Sequence, residues 1–176
     1  DFNRVLGLDY NILSKDNRLR GKVFYHQSFS DDNNKFQYAH ASWLSYNGRT
    51  VNAAWNHEYV SKYYQADVGF VPREGRGYWR LEPWIQKNFY PKGSILNRHG
   101  PRLYFDLYTD DSLNRTDQKV QLSYVFSFNN TSRLNIRYTN SFIRLIEPFN
   151  PNANDTLEFS VGEYTWDAIS FNFIPV

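Results

Sequence analysis

The stretch that decides the fold is Val120-Gln121-Leu122-Ser123-Tyr124-Val125-Phe126-Ser127-Phe128-Asn129, followed closely by Arg133-Leu134-Asn135-Ile136-Arg137-Tyr138-Thr139-Asn140-Ser141-Phe142. In the first, the even positions are Val120, Leu122, Tyr124, Phe126 and Phe128, and the odd ones are polar except for Val125. In the second, Leu134, Ile136, Tyr138 and Phe142 share one parity with Asn140, and Arg133, Asn135, Arg137, Thr139 and Ser141 share the other. Side chains alternate across a β-strand, so each segment is a ribbon with one apolar and one polar face. Asn129-Asn130-Thr131-Ser132 between them suits a tight turn.

Working outward, the same period recurs. Leu6, Leu8, Tyr10 and Ile12 oppose Gly7, Asp9 and Asn11. Val51, Ala53, Trp55 and Tyr59 oppose Asn52, Asn56 and Glu58. Trp79, Leu81 and Ile85 oppose Arg80, Glu82, Gln86 and Asn88, and Leu103, Phe105 and Leu107 oppose Arg102, Tyr104 and Asp106. Further strands are expected near Gly21 to Phe29, Phe36 to Tyr46, Tyr64 to Phe70 and Tyr164 to Phe173. Turn chemistry separates them at Ser14-Lys15-Asp16-Asn17, at Tyr46-Asn47-Gly48-Arg49 and at Pro91-Lys92-Gly93-Ser94. No segment has a sustained helical period. The polar insert Thr109 to Thr116 is given at most one turn of helix. The expectation is an all-β chain of about ten antiparallel strands.

Composition narrows the function. Lys and Arg number 20 against 18 Asp and Glu. Charge this even gives no electrostatic case for nucleic acid. Cysteine is absent, which removes disulfides, thiolate metal sites and cysteine nucleophiles. Methionine is absent even at position 1, so the chain is expected to be a processed or excised piece. No apolar run reaches the length of a membrane helix. Aromatic residues make up 19% of a polar chain, which suits sheets with one greasy and one wet face.

Alternation alone leaves the facing open. In a soluble sandwich or barrel the apolar face turns inward. In an outer-membrane barrel it turns to lipid and the polar face lines the lumen. Three features favour the lumen reading. Several strands approach nine to eleven residues, polar faces carry charges beside bulky Trp84 and Tyr104, and Tyr38, Trp43, Tyr46, Tyr78 and Tyr90 fall near strand ends. The charges expected inside are Glu58, Arg80, Glu82, Arg102, Asp106, Arg133 and Arg137, with the arginines neutralising the carboxylates. Tyr63, Tyr64, Tyr78 and Trp79 are read as exposed interface anchors or sugar-stacking rings.

The ordered phrases Gly7-Leu8-Asp9-Tyr10-Asn11, Phe24-Tyr25-His26-Gln27-Ser28-Phe29, Asn56-His57-Glu58-Tyr59-Val60, Gly69-Phe70-Val71-Pro72-Arg73 and His99-Gly100-Pro101-Arg102-Leu103 carry a resemblance. From about Arg4 to the end, the chain resembles the membrane-barrel region of a Bacteroidota family. That region is catalogued as domain of unknown function 5916 and commonly follows a family 9 carbohydrate-binding module. The resemblance implies an exported protein in a bacterial outer membrane. Its partners would be outer-membrane lipid, other envelope proteins, the remaining parts of the same barrel, and a glycan. It assigns no catalytic residue. Residues 1–176 then form a single β-barrel region, a fragment of a longer barrel, because the carbohydrate-binding module and part of a full barrel are missing.

The expected function is structural or transport, linked to glycan binding or uptake. Catalysis, cofactor and metal are not expected. His26, His40, His57 and His99 lack metal-ligand spacing, and Asp110, Ser112 and Asn114 lack the glycine and closing glutamate of a calcium loop. Two alternatives stand beside this reading. One is a soluble β-sandwich or barrel that binds carbohydrate through surface aromatics. The other is a glycoside hydrolase built on lumen carboxylates.

Overall fold

A computed structural model describes residues 2–31, 37–66, 73, 75–151 and 158–176. The chain is all-β. Its strands are β1 (Asn3–Leu13), β2 (Leu19–Ser30), β3 (Tyr38–Asn47), β4 (Val51–Val60), β5 (Tyr78–Leu81), β6 (Trp84–Lys87), β7 (Leu96–Thr109), β8 (Arg115–Phe128), β9 (Arg133–Leu145) and β10 (Gly162–Ile174). They form one antiparallel sheet in the order β1-β2-β3-β4-β5-β7-β8-β9-β10, with β6 also lying between β4 and β7.

β5 and β6 are two halves of one strand. His57 pairs with Leu81 and Ala54 with Trp84, so the register does not slip across Glu82 and Pro83. The same holds against β7, where Leu81 faces Leu107 and Trp84 faces Tyr104. Pro83 has no N–H to give the ladder, which is why the strand reads as broken there. The Glu82 N–H still reaches Asn56 O at 2.8 Å, and the Phe105 N–H reaches Pro83 O at 3.0 Å. Ten elements therefore occupy nine positions.

The strand expected at Tyr64 to Phe70 does not form over the residues described. Tyr64 to Ala66 are irregular, and 67–70 lie outside the described residues. No helical turn forms at Thr109 to Thr116. Instead the Asp110 carboxylate accepts from the N–H groups of Ser112 and Asn114, both at 2.9 Å, and closes a tight turn with Leu113 at φ 62°.

Pair registers sort the side chains into two faces across all nine positions. One face carries Leu8, Val23, Leu44, Trp55, Ile85, Leu103, Leu122, Ile136 and Phe171. The other carries Asp9, Lys22, Ser45, Asn56, Arg80, Arg102, Ser123, Arg137 and Ser170. The burial is inverted relative to a water-soluble domain. On the central strands, Ile85 is 50% exposed, Leu103 47% and Leu122 56%, while Ser123 is 6% exposed and Ser141 5%. Among the described residues, the buried apolar side chains are Ala39, Val60, Tyr64, Tyr78 and Phe142. Four of these, Ala39, Val60, Tyr64 and Tyr78, form one small cluster at one end of the polar face.

Gly100 shows how closely the backbones approach on that face. A Cβ there would strike the carbonyl oxygen of Lys87. Replacing Gly100 with valine is expected to part β6 from β7 and remove most of the folded fraction of the intact protein, read by its β-sheet circular dichroism. An unchanged unfolding midpoint would show that the two strands lie further apart than described.

Candidate functional site

The polar face brings together all seven charged residues singled out from the sequence. Glu58, Arg80, Glu82, Arg102, Asp106, Arg133 and Arg137 share one parity on β4 to β9. Three of them make a tight network. Arg80 grips Asp106 with two nitrogens, Nε to Oδ1 at 2.9 Å and Nη2 to Oδ2 at 3.0 Å. Its Nη2 also lies 3.0 Å from Glu82 Oε2. The Tyr104 hydroxyl donates to Glu82 Oε1 at 2.7 Å and stands 3.2 Å from Asp106 Oδ2. Asn56 Nδ2 donates to Glu82 Oε2 at 3.0 Å. Both carboxylates are thus satisfied within the sheet by a fork, a hydroxyl and an amide.

The expected pairing fails for the other arginines. Arg102, Arg133 and Arg137 form no ion pair among the described residues. Arg102 instead stacks on Trp84, with its guanidinium 4.4 Å from the ring centre. Arg102 and Arg137 both stand opposite Ser123, from β7 and β9. Arg98 and Arg133 likewise both stand opposite Ser127. Reading the sequence missed Arg98. Its parity with Arg102 is the available signal. The physical reason for the missed pairing is distance along the strands. The carboxylates cluster on β4 to β7 toward one end, while the arginine quartet sits on β7 and β9 toward the other.

Glu58 lies opposite Arg80 in register. A smaller ion pair joins Lys22 to Asp9 at 3.1 Å on the same face of β1 and β2. No group of His, Asp and Glu among the described residues is arranged to hold a metal ion.

The aromatic expectations divide. Tyr63 is exposed. Trp79 lies on the apolar face and is half-buried rather than exposed. Tyr64 and Tyr78 are corrections: they are 9% and 1% exposed, packed with Ala39 and Val60, and cannot stack on a sugar. Tyr78 has the parity of Arg80, which turns it toward the polar face, and Tyr64 folds back over that end after Val60.

On the apolar face the register gathers two aromatic groups that the sequence did not delimit. Near one strand end, Trp79 packs against Tyr59 at 4.5 Å and His57 at 5.6 Å, and His40 lies 4.9 Å from His57 and 5.2 Å from Tyr59. Near the opposite end, His99 packs against Phe89 at 5.5 Å and Tyr124 at 5.8 Å, with its Nδ1 2.7 Å from the Tyr124 hydroxyl. Between the two groups lie aliphatic and aromatic side chains such as Ile85, Leu103, Phe105 and Leu122.

The connections are as unequal as the faces. At one end the strands are joined by 14–18, 48–50, 88–95 and 129–132. At the other they are joined by 31–37, 61–77, 110–114 and 146–161. The longer set interacts across strands: Arg73 reaches Asp117 at 2.6 Å and covers the Tyr108 ring at 4.2 Å, and Arg76 reaches Glu147 at 3.0 Å. No family model, curated protein or solved structure matches the chain.

Arg80 joins two carboxylates that would otherwise face one another. Arg80→Met is expected to cost about 3 kcal/mol, the low end for breaking a buried pair, because roughly a fifth of each side chain still meets solvent. Arg80→Lys should fall between, keeping the charge but losing the fork. Urea midpoints of the intact protein measure both, and equal midpoints for all three would show that the network carries no stability.

Proposed function

We propose that this chain is an arc of a transmembrane β-barrel in a bacterial outer membrane, with its apolar face to lipid and its charged face to the lumen. The observation that carries the reading is the inverted burial on the central strands. Ile85, Leu103 and Leu122 stand half exposed over a face whose serines are covered. Each large apolar side chain left in water forgoes about 1.5–3 kcal/mol. A continuous field of them is a membrane or partner surface rather than a soluble exterior.

Dimensions and chemistry support the same reading. Every strand position runs ten residues or more once β5 and β6 are joined, and a tilted strand needs about nine to eleven to cross a bilayer. The outward parity of β8 is apolar from Val120 to Phe128, about 27 Å of strand, or roughly 20 Å of barrel height at the usual tilt. Gln118 lies beyond Val120 on that parity, and Asn140 and Asp167 lie level with Val120 on β9 and β10, Asp167 accepting from Asn140 and from the Tyr138 hydroxyl. The two aromatic groups then sit at the two interfaces. Polar atoms within the band are satisfied locally, as where Trp55 Nε1 donates to Ser42 Oγ at 3.1 Å.

The role is structural or solute-passing. Glu82 and Asp106 are spent on Arg80, Tyr104 and Asn56, which supports a lumen wall rather than a hydrolytic pair. Glycan binding or uptake would enter through the module or partner that the resemblance places beside this barrel. In outer-membrane barrels the short turns face the periplasm and the long loops face outward. Residues 146–161 then lie outside the cell and 14–18 inside.

Two measurements test this. Leu122→Arg should destabilise the intact protein by about 2–4 kcal/mol in a bilayer. In a soluble protein the same change at a half-exposed site should stay within about 0.5 kcal/mol. On intact cells, an impermeant maleimide should label Pro151→Cys but not Lys15→Cys, with any cysteine elsewhere in the protein replaced by serine. Label at Lys15→Cys alone would reverse the orientation.

A further inference from the structure

The sheet has two free edges, and they run the same way. β1 begins at the long-loop end, where Asn3 faces Ser30, and finishes at the short-turn end, where Leu13 faces Arg20. β10 also begins at the long-loop end, where Gly162 faces Leu145, and finishes where Ile174 faces Arg133. This follows from nine positions in a strict up-and-down order. A seam between β1 and β10 would therefore be parallel, in a sheet whose every other pairing is antiparallel.

The edges are codirectional and do not meet. Among the strands, β1 makes contact with β2 alone and β10 with β9 alone. Both edges carry exposed apolar side chains on the apolar face, Leu6, Leu8 and Tyr10 on one and Ile169, Phe171 and Phe173 on the other. Neither has the proline, bulge or lysine that guards an edge in water. In hydrocarbon each unpaired backbone group costs several kcal/mol, so such edges do not persist. Nor would nine strands close comfortably. Eight strands leave room for their own side chains and little more, and this face carries Trp43, Trp84, Tyr104, Trp166 and the arginines Arg80, Arg98, Arg102, Arg133 and Arg137.

A second copy of the chain does not solve the problem. Inserted with the same orientation, its β1 would run parallel to β10 of the first, so both seams would be parallel. An antiparallel β1–β1 seam would need one copy upside down, with its long loops on the other side of the membrane.

Resting on the membrane reading above, we infer that β1 and β10 are joined by an odd number of further spanning strands of different sequence. The first and last of them run from the short-turn end to the long-loop end, and they carry apolar side chains outward. The nine strands described here then become part of an even-stranded barrel.

The test uses the intact protein in native outer membranes, scored first for a heat-dependent gel shift. A photoreactive phenylalanine analogue placed at Leu8 or Phe171 should crosslink to peptides outside residues 1–176, identified by mass spectrometry. Cysteine pairs combining Leu6, Leu8 or Tyr10 with Ile169, Phe171 or Phe173 should give no disulfide, within a chain or between copies. The control pair Leu8→Cys with Tyr25→Cys, which face one another across β1 and β2, should crosslink. A density map of the barrel should show an odd number of strands between β10 and β1. A disulfide linking β1 to β10 in a heat-shifting, membrane-borne protein would overturn this inference alone. A soluble protein with no heat shift would overturn the membrane reading and this inference with it.

Discussion

One constraint governs the rest of the molecule: the backbone ladder keeps a single parity across nine strand positions. The row Ile12, Gly21, Leu44, Trp55, Pro83, Phe105, Val120, Asn140 and Asp167 crosses the sheet without leaving its face. A one-residue slip in any strand would turn that strand's apolar set to the polar side. The shifts that do occur, between Leu96 and Arg98 and between Tyr108 and Thr109, fall near the ends of β7, where they cannot propagate. Even Pro83 is accommodated, because the ladder resumes in the same register on both sides of it.

Given one parity, the charged face must settle its own electrostatics within the plane of the sheet. Arg80 does so where carboxylates converge, binding Asp106 and Glu82 while Tyr104 bridges the same two acids. The arginines of β7 and β9 use another device. They spread over serines, and one lies on the Trp84 ring, so small residues and large cations interleave. Serine is buried here for a steric reason: it fills the space beneath long neighbours without adding bulk. The result is a face charged in patches, negative groups neutralised toward the long-loop end and positive groups prevailing toward the short-turn end.

The apolar face is ordered by a different logic, and its signals are independent of the charges. Aromatic groups gather near both strand ends, aliphatic residues fill the interval, and Gln118 marks where the interval stops on β8. Loop length is independent again, since it depends on neither face. On the membrane reading these three features share one cause, a slab of hydrocarbon with distinct solvents on its two sides. A soluble sheet with a partner over its apolar face accounts for the exposed residues, but gives no reason for aromatic belts at both ends.

The strands themselves were legible in the sequence because alternation is local. Val120 to Asn129 and Arg133 to Phe142 state their period without help from any distant residue, and the shared face of the seven charged residues follows from the same counting. What counting could not supply is pairing. Whether Arg102 meets Glu82 or Trp84 depends on which strand lies beside β7 and in what register, and Pro83 gave no hint that the ladder would run through it. Tyr78 illustrates the limit. Beside Trp79 in sequence it reads as a second anchor, yet adjacent residues in a strand face opposite ways, and the parity of Arg80 assigns it to the polar face. Tyr64 lies beyond the last residue of β4, where period two no longer applies. Its burial is set by a chain that turns back over Ala39 and Val60, a contact that no local pattern encodes.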